Sequence, residues 1–233
     1  RVGAGKGENG GGSGQMSGRR RRIYSTYERT WHWIQMIAVV VLLATGFHIH
    51  APVRLPLADL AAMVWFHNVF GFILIGNALL GLFYFVTTGA IRQYVPERKG
   101  LAAAVAAQVR YYTRGIFRGH THPTRKTPER RLNPLQQLTY LALLNLLLPL
   151  QIASGLLMWG AARWPHAAGA VGGLPLLGAV HTLGSYLFLS FLIAHLYLIT
   201  TGRTPLTHLE GMATGYENFE EPEGPPPAAD LRR

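Results

Sequence analysis

The sequence contains no cysteine and few charged residues. The absence of cysteine from its 233 residues excludes disulfides, thiolate metal ligands and iron–sulfur clusters held by this chain. Only 14% of the residues are charged, although the formal net charge is +11 and 49% are hydrophobic. The charges must therefore be segregated from long apolar stretches, and histidine, with 10 copies, is the strong metal ligand that remains.

Uncharged stretches of membrane-spanning length occupy much of the chain. There are four, at 30–53, 60–91, 132–162 and 164–202. Each is longer than the about 20 residues that a helix needs to cross a hydrocarbon core of about 30 Å. Lipid offers no hydrogen-bond partners to the backbone, so each span is expected to be helical. The sequence thus predicts an all-α integral membrane protein, a four-helix bundle with spans at about 30–53, 60–91, 132–162 and 175–202.

The connections between the spans differ sharply in positive charge. Residues 1–29 hold seven Lys and Arg and residues 92–131 hold ten, whereas the two other connections hold one each, Arg54 and Arg163. The positive-inside rule then places the N-terminus, the middle connection and the C-terminus in the cytoplasm. The basic pI of about 10.4 is interpreted as a topology signal, and nucleic acid is not expected as a partner.

Composition also divides the chain along its length. Residues 1–22 are predicted to be a flexible, Gly-rich basic arm, 23–215 the membrane domain, and 216–233 a disordered cytoplasmic tail. The first span lacks a small-residue cleavage site and is expected to be retained. Residues 101–117 have helical spacing, which predicts either a helix on the membrane surface or a solvated connector attracted to anionic lipid.

Four histidines lie inside the apolar spans: His32, His67, His181 and His195. An ionisable side chain facing lipid is costly, so each of them needs a partner in the bundle interior. The predicted topology puts His67 and His181 in the outer leaflet and the two others in the inner leaflet. The histidines therefore form two pairs by depth.

The spacing within the fourth span sharpens this pairing. Fourteen residues separate His181 from His195, a rise of about 21 Å and a rotation within about 40° of four full turns. Both rings thus face one side of the helix, near opposite membrane surfaces. This layout suits two cofactors stacked across the bilayer, with His67 and His181 on the outer one and His32 and His195 on the inner one. Because bis-imidazole ligation fills both axial positions of an electron-transfer haem, the sequence predicts two b-type haems.

The stretches that contain these histidines resemble a known family. They are YERTWHW (27–33), FHNVFG (66–71), VHTLG (180–184) and AHLY (194–197), and the likeness extends over about 22–215. They are similar to the b-type cytochrome membrane subunits found with nickel–iron hydrogenases, formate dehydrogenases (gamma subunit) and thiosulfate or tetrathionate reductases. The four histidines match the ligand positions of that family individually.

The resemblance implies a function within a multisubunit oxidoreductase of a bacterial or archaeal inner membrane. The inner haem would exchange electrons with menaquinone or ubiquinone, and the outer haem with an extracytoplasmic iron–sulfur or cytochrome subunit. The chemistry of the primary substrate is expected on a separate catalytic subunit. This chain would supply ligation, spacing and electrostatics, and no catalytic acid, base or nucleophile is assigned to it.

Several polar residues near the expected inner haem have two interpretations each. Asn133, Gln136 and Gln137 are candidates for hydrogen bonds to a quinone carbonyl, and capping of a helix start is the alternative. Arg29 and Arg203 are candidates for pairing with haem propionates, and topological anchoring is the alternative.

Two further pairs of residues are also open to two interpretations. His48 and His50, at the outer end of the first span, are either interfacial residues or contacts of the outer haem. Gly71 and Gly184 follow ligand candidates by four and three residues, and either leave room for a macrocycle or serve helix packing.

Two rival functions use no haem. In one, the chain is a non-redox membrane anchor for a catalytic partner, and the histidines only pack. In the other, it is a transporter or proton channel with a histidine relay. A relay would favour further intramembrane acids, and the second to fourth uncharged stretches contain no Asp or Glu.

Overall fold

Four long helices dominate the computed structural model of the protein, which describes residues 19–52, 59–120, 122–124, 131–202 and 204–219. They are α1 (Thr26–His50), α2 (Leu60–Thr87), the segment Pro134–Trp159 and α7 (Gly173–Ile199). Within the described residues, these four are long and apolar enough to cross a membrane. Their outward side chains are large and apolar: Leu79, Leu80 and Phe83 of α2 are 61–69% exposed. The predicted helical membrane bundle is confirmed.

Helices α1 and α2 both begin at a side-chain cap. Ser25 caps α1 in a reciprocal hydrogen-bonded box with Glu28, so this helix starts four residues before the predicted 30. Asp59 caps α2. At its other end α2 stops at Thr87, because Gly89 takes a left-handed φ of 74° and the chain continues as the short 3₁₀ helix Ala90–Tyr94.

The third spanning segment is not a regular helix throughout. It comprises α4 (Pro134–Ala142), a π-helical turn (Leu143–Leu147) and α5 (Leu148–Trp159). Pro149 has no N–H and crowds the carbonyl four residues earlier, at Asn145, so the backbone widens at this point. A short helix, α6 (Pro165–Ala170), then leads from α5 to α7.

The bundle consists of two packed helix pairs, α1 with α2 and α5 with α7. A small core joins the pairs at the centre and contains Ala38, Leu43, Leu74, Leu148 and Phe188. Polar contacts fix the first pair internally: the Trp31 indole donates to the Asn77 carbonyl (2.9 Å), and the Asn77 amide donates to Gln35 (2.8 Å).

Shorter elements gather at the end of the bundle where α1 begins. Helix α3 (Leu101–Arg110) continues into a π-helical turn (Tyr111–Gly115) and a 3₁₀ turn (Ile116–Arg118), so the helical spacing predicted for 101–117 is present. After α7, helix α8 (Thr207–Thr214) packs against strand β2 (Tyr216–Phe219).

The predicted arm and tail both need correction at their inner ends. Strand β1 (Arg19–Arg22) pairs antiparallel with β2, with Arg22 opposite Tyr216, and Ile23 N–H donates to the Gly215 carbonyl (2.8 Å). The sequence predicts a flexible arm and a disordered tail here, because neither four arginines nor the four-residue segment YENF indicates a strand alone. Paired backbone hydrogen bonds between the two segments give them structure. The rest of the predicted arm and tail lies outside the described residues.

Close approach of α1 and α2 depends on Gly81. A Cβ added there would stand 2.3 Å from Trp31 Nε1, whereas at Gly76 of the same helix it would meet nothing within 4 Å. We expect Gly81→Ala to destabilise the protein by about 1–3 kcal/mol, because the indole must move from its hydrogen bond. Thermal unfolding in detergent should show a midpoint below that of wild type for Gly81→Ala and an unlowered midpoint for Gly76→Ala. Equal midpoints for the two variants would contradict the packing described.

Candidate functional site

The first histidine pair joins α2 to α7. The ring centroids of His67 and His181 are 6.2 Å apart, with an angle of 71° between the ring planes. Both rings are half-buried. The backbone of the facing helices comes close to them, since a Cβ at Gly46 or Gly155 would lie 3.3 Å from His67 Cε1 or 3.0 Å from His181 Cε1. The structure therefore brings together the two residues predicted as the outer pair.

The second pair joins α1 to the other end of α7. The centroids of His32 and His195 are also 6.2 Å apart, with 45° between the ring planes. The Phe191 ring stacks on His195 at 5.7 Å. The residues predicted as the inner pair are thus neighbours as well, and α7 is continuous between its two histidines.

The gap within each pair fits one metal ion. An imidazole nitrogen binds a first-row metal at about 2 Å and lies about 1 Å from its ring centroid, so two axial rings on one ion have centroids about 6 Å apart. The observed 6.2 Å in both pairs agrees with this spacing. Among the described residues, no three or more His, Cys, Asp or Glu side chains cluster as a metal site. Two axial ligands suffice where a macrocycle supplies the others.

A cavity of about 960 Å³ lies between the helices beside the His67–His181 pair. Its lining is mostly apolar. Gly71 and Gly178 border it, and a Cβ at either position would meet no atom within 4 Å. These glycines keep open a space beside the two rings. Volume, lining and histidine spacing together fit a flat apolar macrocycle ligated from both sides.

Two side-chain hydroxyls contact the rings of this pair from behind. Thr45 Oγ1 lies 2.9 Å from His67 Nδ1, and Ser154 Oγ lies 3.0 Å from His181 Nδ1. Both hydroxyls are buried. Sequence reasoning missed them, although each directly precedes a glycine that approaches the same ring, Gly46 or Gly155. The repeated hydroxyl–glycine dipeptide was the available signal.

Comparison with known proteins agrees with this site. The sequence profile described as prokaryotic cytochrome b561 matches residues 23–215. The chain is also similar to “Putative cytochrome YdhU” of Escherichia coli (strain K12), with 35% identity over 205 residues that cover 85% of this chain and 75% of that protein. The chain belongs to the prokaryotic cytochrome b561 family. The resemblance to b-type cytochrome membrane subunits is thereby confirmed.

Family membership fixes the cofactor class and the setting of this cytochrome. It is a multi-pass transmembrane protein of the inner membrane, its cofactor is b-type haem, and it acts in electron transport. The histidine pairs are the groups in the described bundle that fit haem iron. That His32, His67, His181 and His195 are the ligands stays a prediction, which the geometry of both pairs supports.

The amides predicted to contact quinone have partners within the cytochrome itself. Asn133 and Gln136 form a reciprocal capping box at the start of α4 (2.9 and 3.0 Å). Asn133 also donates to the Tyr112 hydroxyl (3.0 Å), and Gln137 donates to the Gln93 carbonyl (2.8 Å). The structure therefore contains the capping alternative, and a contact with quinone stays a prediction.

The arginine candidates are less well defined by the structure. Arg203 lies outside the described residues. Arg29 donates to the Ala213 carbonyl, while its Nε is buried and has no partner among the described groups. Arg29 thus links α1 to α8, and its pairing with a propionate stays a prediction.

An ion pair connects the starts of α1 and α4 near Arg29. Arg131 binds Glu28 at 3.0 Å and stacks over the Tyr24 ring at 5.5 Å. Burial and the Glu217 carboxylate raise the pKa of Tyr24, so its phenol stays protonated. These contacts stabilise the helix starts at the end of the bundle that holds the inner pair.

The remaining alternatives are also resolved in part. Gly71 borders the cavity, whereas Gly184 packs against Gln151, whose Oε1 would lie 2.0 Å from an added Cβ. His50 borders the same cavity as the outer pair, and His48 is only 1% exposed. His50 is thus positioned as a cavity contact, while His48 is a buried bundle residue.

The cavity can be tested by filling it from Gly71. We expect Gly71→Leu to lower the haem content per chain, because the new side chain projects into the space beside His67. Gly76→Leu is the matched control, since it lies on the same helix, meets nothing within 4 Å and does not border the cavity. Pyridine haemochrome assays measure the haem content per chain of both variants. Unchanged haem content in Gly71→Leu would show that the cavity is not part of the haem site.

Proposed function

We propose that this cytochrome carries electrons across the membrane between an extracytoplasmic redox subunit and the quinone pool, using two b haems. One observation carries the proposal: α7 has a histidine towards each end, and the ring centroid of each lies 6.2 Å from that of a histidine on another helix. Two similar pairs, each with one histidine on α7, provide two ligand sets at different membrane depths.

The chain's own residues perform distinct tasks in this function. His67 and His181 would hold the outer haem, and His32 and His195 the inner one, so that no ligand position would be left for a substrate. Helix α7 fixes the separation of the two sites at about 21 Å along its axis. When bound, haem supplies one-electron chemistry at its iron.

We assign the N-terminus, the middle connection and the C-terminus to the cytoplasm. The charge asymmetry supports this topology, with ten Lys and Arg in residues 92–131 against single arginines in the two opposite connections. Pairing of β1 with β2 supports the placement of both ends on one side. In this orientation the His67–His181 pair lies in the outer leaflet of the membrane.

The proposed partners follow from this orientation. The outer haem would exchange electrons with an iron–sulfur or cytochrome subunit, and the inner haem with menaquinone or ubiquinone. The catalytic subunit of the same complex would convert the primary substrate. The rival function, a non-redox anchor, predicts that the four histidines only pack.

Single histidine variants test the assignment. We expect the wild-type chain to bind two haems, and His67→Ala and His195→Ala each to lose one, because each removes an axial ligand from a different pair. His166→Ala is the control, since His166 lies exposed on α6 and belongs to neither pair. Reduced-minus-oxidised spectra with pyridine haemochrome assays measure haem per chain and distinguish the haem that is lost.

Quinone reduction tests the electron route on the same preparations. Wild-type protein reduced with dithionite should pass electrons to a soluble menaquinone analogue in proteoliposomes, and His195→Ala should slow oxidation of the remaining outer haem. Absence of haem from pure wild-type protein would leave the anchor function standing. Loss of the same haem from both variants would contradict the pairing.

A further inference from the structure

The two histidine pairs differ in what lies behind their rings. In the outer pair, His67 and His181 each have a hydroxyl at hydrogen-bond distance from Nδ1 (2.9 and 3.0 Å). In the inner pair, His32 Nδ1 is buried and has no hydrogen-bond partner among the described residues. The pairs are alike in ring spacing but differ in ring hydrogen bonding.

The hydroxyl protons determine which ring nitrogen carries hydrogen. Thr45 Oγ1 donates to the Val41 carbonyl at 2.7 Å, and Ser154 Oγ donates to the Leu150 carbonyl at 2.8 Å. Each hydroxyl has one proton, and with that proton directed to the carbonyl, its oxygen accepts a hydrogen bond from the ring. In this arrangement Nδ1 bears the proton in both histidines, and Nε2 keeps its lone pair for a metal.

This contact is built into both helix pairs by the same local design. On α1, Thr45 precedes Gly46, and on α5, Ser154 precedes Gly155. Each glycine lets the facing ring approach its helix closely enough to reach the preceding hydroxyl, since an added Cβ would lie within 3.3 Å of Cε1. Both hydroxyls are at most 5% exposed, so water does not compete for the ring proton.

We propose that Thr45 and Ser154 are positioning residues that set the tautomer of the outer ligands and lower the reduction potential of the outer haem. The proposal rests on the proposed dihaem function. A ring that donates from Nδ1 is a more basic ligand through Nε2, and a more basic ligand stabilises ferric over ferrous iron. With haem held at both pairs, the effect would favour transfer of one electron from the outer site, which would be oxidised, to the inner site, which would be reduced, while the ring proton stays on Nδ1.

Redox potentiometry on hydroxyl-deletion variants tests the proposal. We expect Thr45→Val combined with Ser154→Ala to raise the potential of the outer haem and leave the inner haem unchanged. The expected size is a roughly tenfold rise in the reduced-to-oxidised ratio at fixed ambient potential, about 59 mV for a one-electron couple. Each single variant should give part of the shift, so loss of haem from one of them leaves the other as the test.

Matched variants separate the hydroxyl from packing. Thr45→Ser and Ser154→Thr keep the hydroxyl and should keep the wild-type potential. Ser190→Ala removes a hydroxyl that bonds its own helix (2.9 Å to the Tyr186 carbonyl) at an exposed position, and should change neither haem. Electron paramagnetic resonance of the oxidised protein should show altered g-values for one haem in the deletion variants alone.

The outcomes distinguish this proposal from the dihaem function itself. Two haems that both keep their potentials in the double variant would overturn the role of the hydroxyls and leave the ligand assignment intact. A shift confined to the haem that His195→Ala removes would also overturn it. A wild-type chain without two haems would instead remove the function on which the proposal rests.

Discussion

The structure depends on how four imidazole rings are accommodated within the apolar part of a membrane. An ionisable ring among lipid chains is costly, and helices there gain no hydrophobic energy from packing against each other. Each of the four rings faces a second ring at 6.2 Å across the bundle instead of lipid. Helix α7 contributes to both pairs, so its unbroken course from Gly173 to Ile199 determines how the two histidine pairs are stacked.

The two helix pairs surround the rings of His67 and His181 in the same way. In α1–α2 and in α5–α7, one helix carries the outer histidine and the other carries a hydroxyl followed by a glycine that meets its ring. Hydroxyl, glycine and ring thus form one unit that fixes the distance between the ring and the facing helix. The inner pair lacks this unit at His32, whose Nδ1 has no partner among the described residues. Similar ring spacing is therefore combined with unequal environments of the rings.

The sequence predicted those features that depend on one helix at a time. Uncharged length predicted the spans, and fourteen-residue spacing predicted that His181 and His195 share a side of α7. Features that depend on how neighbouring helices rotate against each other gave at most an indirect signal, such as the repeated hydroxyl–glycine dipeptide. Thr45 and Ser154 could as well have bonded only their own helices, and nothing in the sequence separates Gly71 at the cavity from Gly184 against Gln151. The β1–β2 pairing joins segments almost 200 residues apart in the sequence, so no hairpin turn between adjacent segments could predict it.

The central claim is that each histidine pair ligates one haem iron through both rings. Electron paramagnetic resonance of the oxidised wild-type protein, quantified against protein concentration, tests it most directly. The account predicts two low-spin ferric signals of equal intensity per chain, because both irons have two imidazole ligands and no open position. A single low-spin signal per chain, or a high-spin signal of similar intensity, would contradict it, since one pair would then leave its iron incompletely ligated.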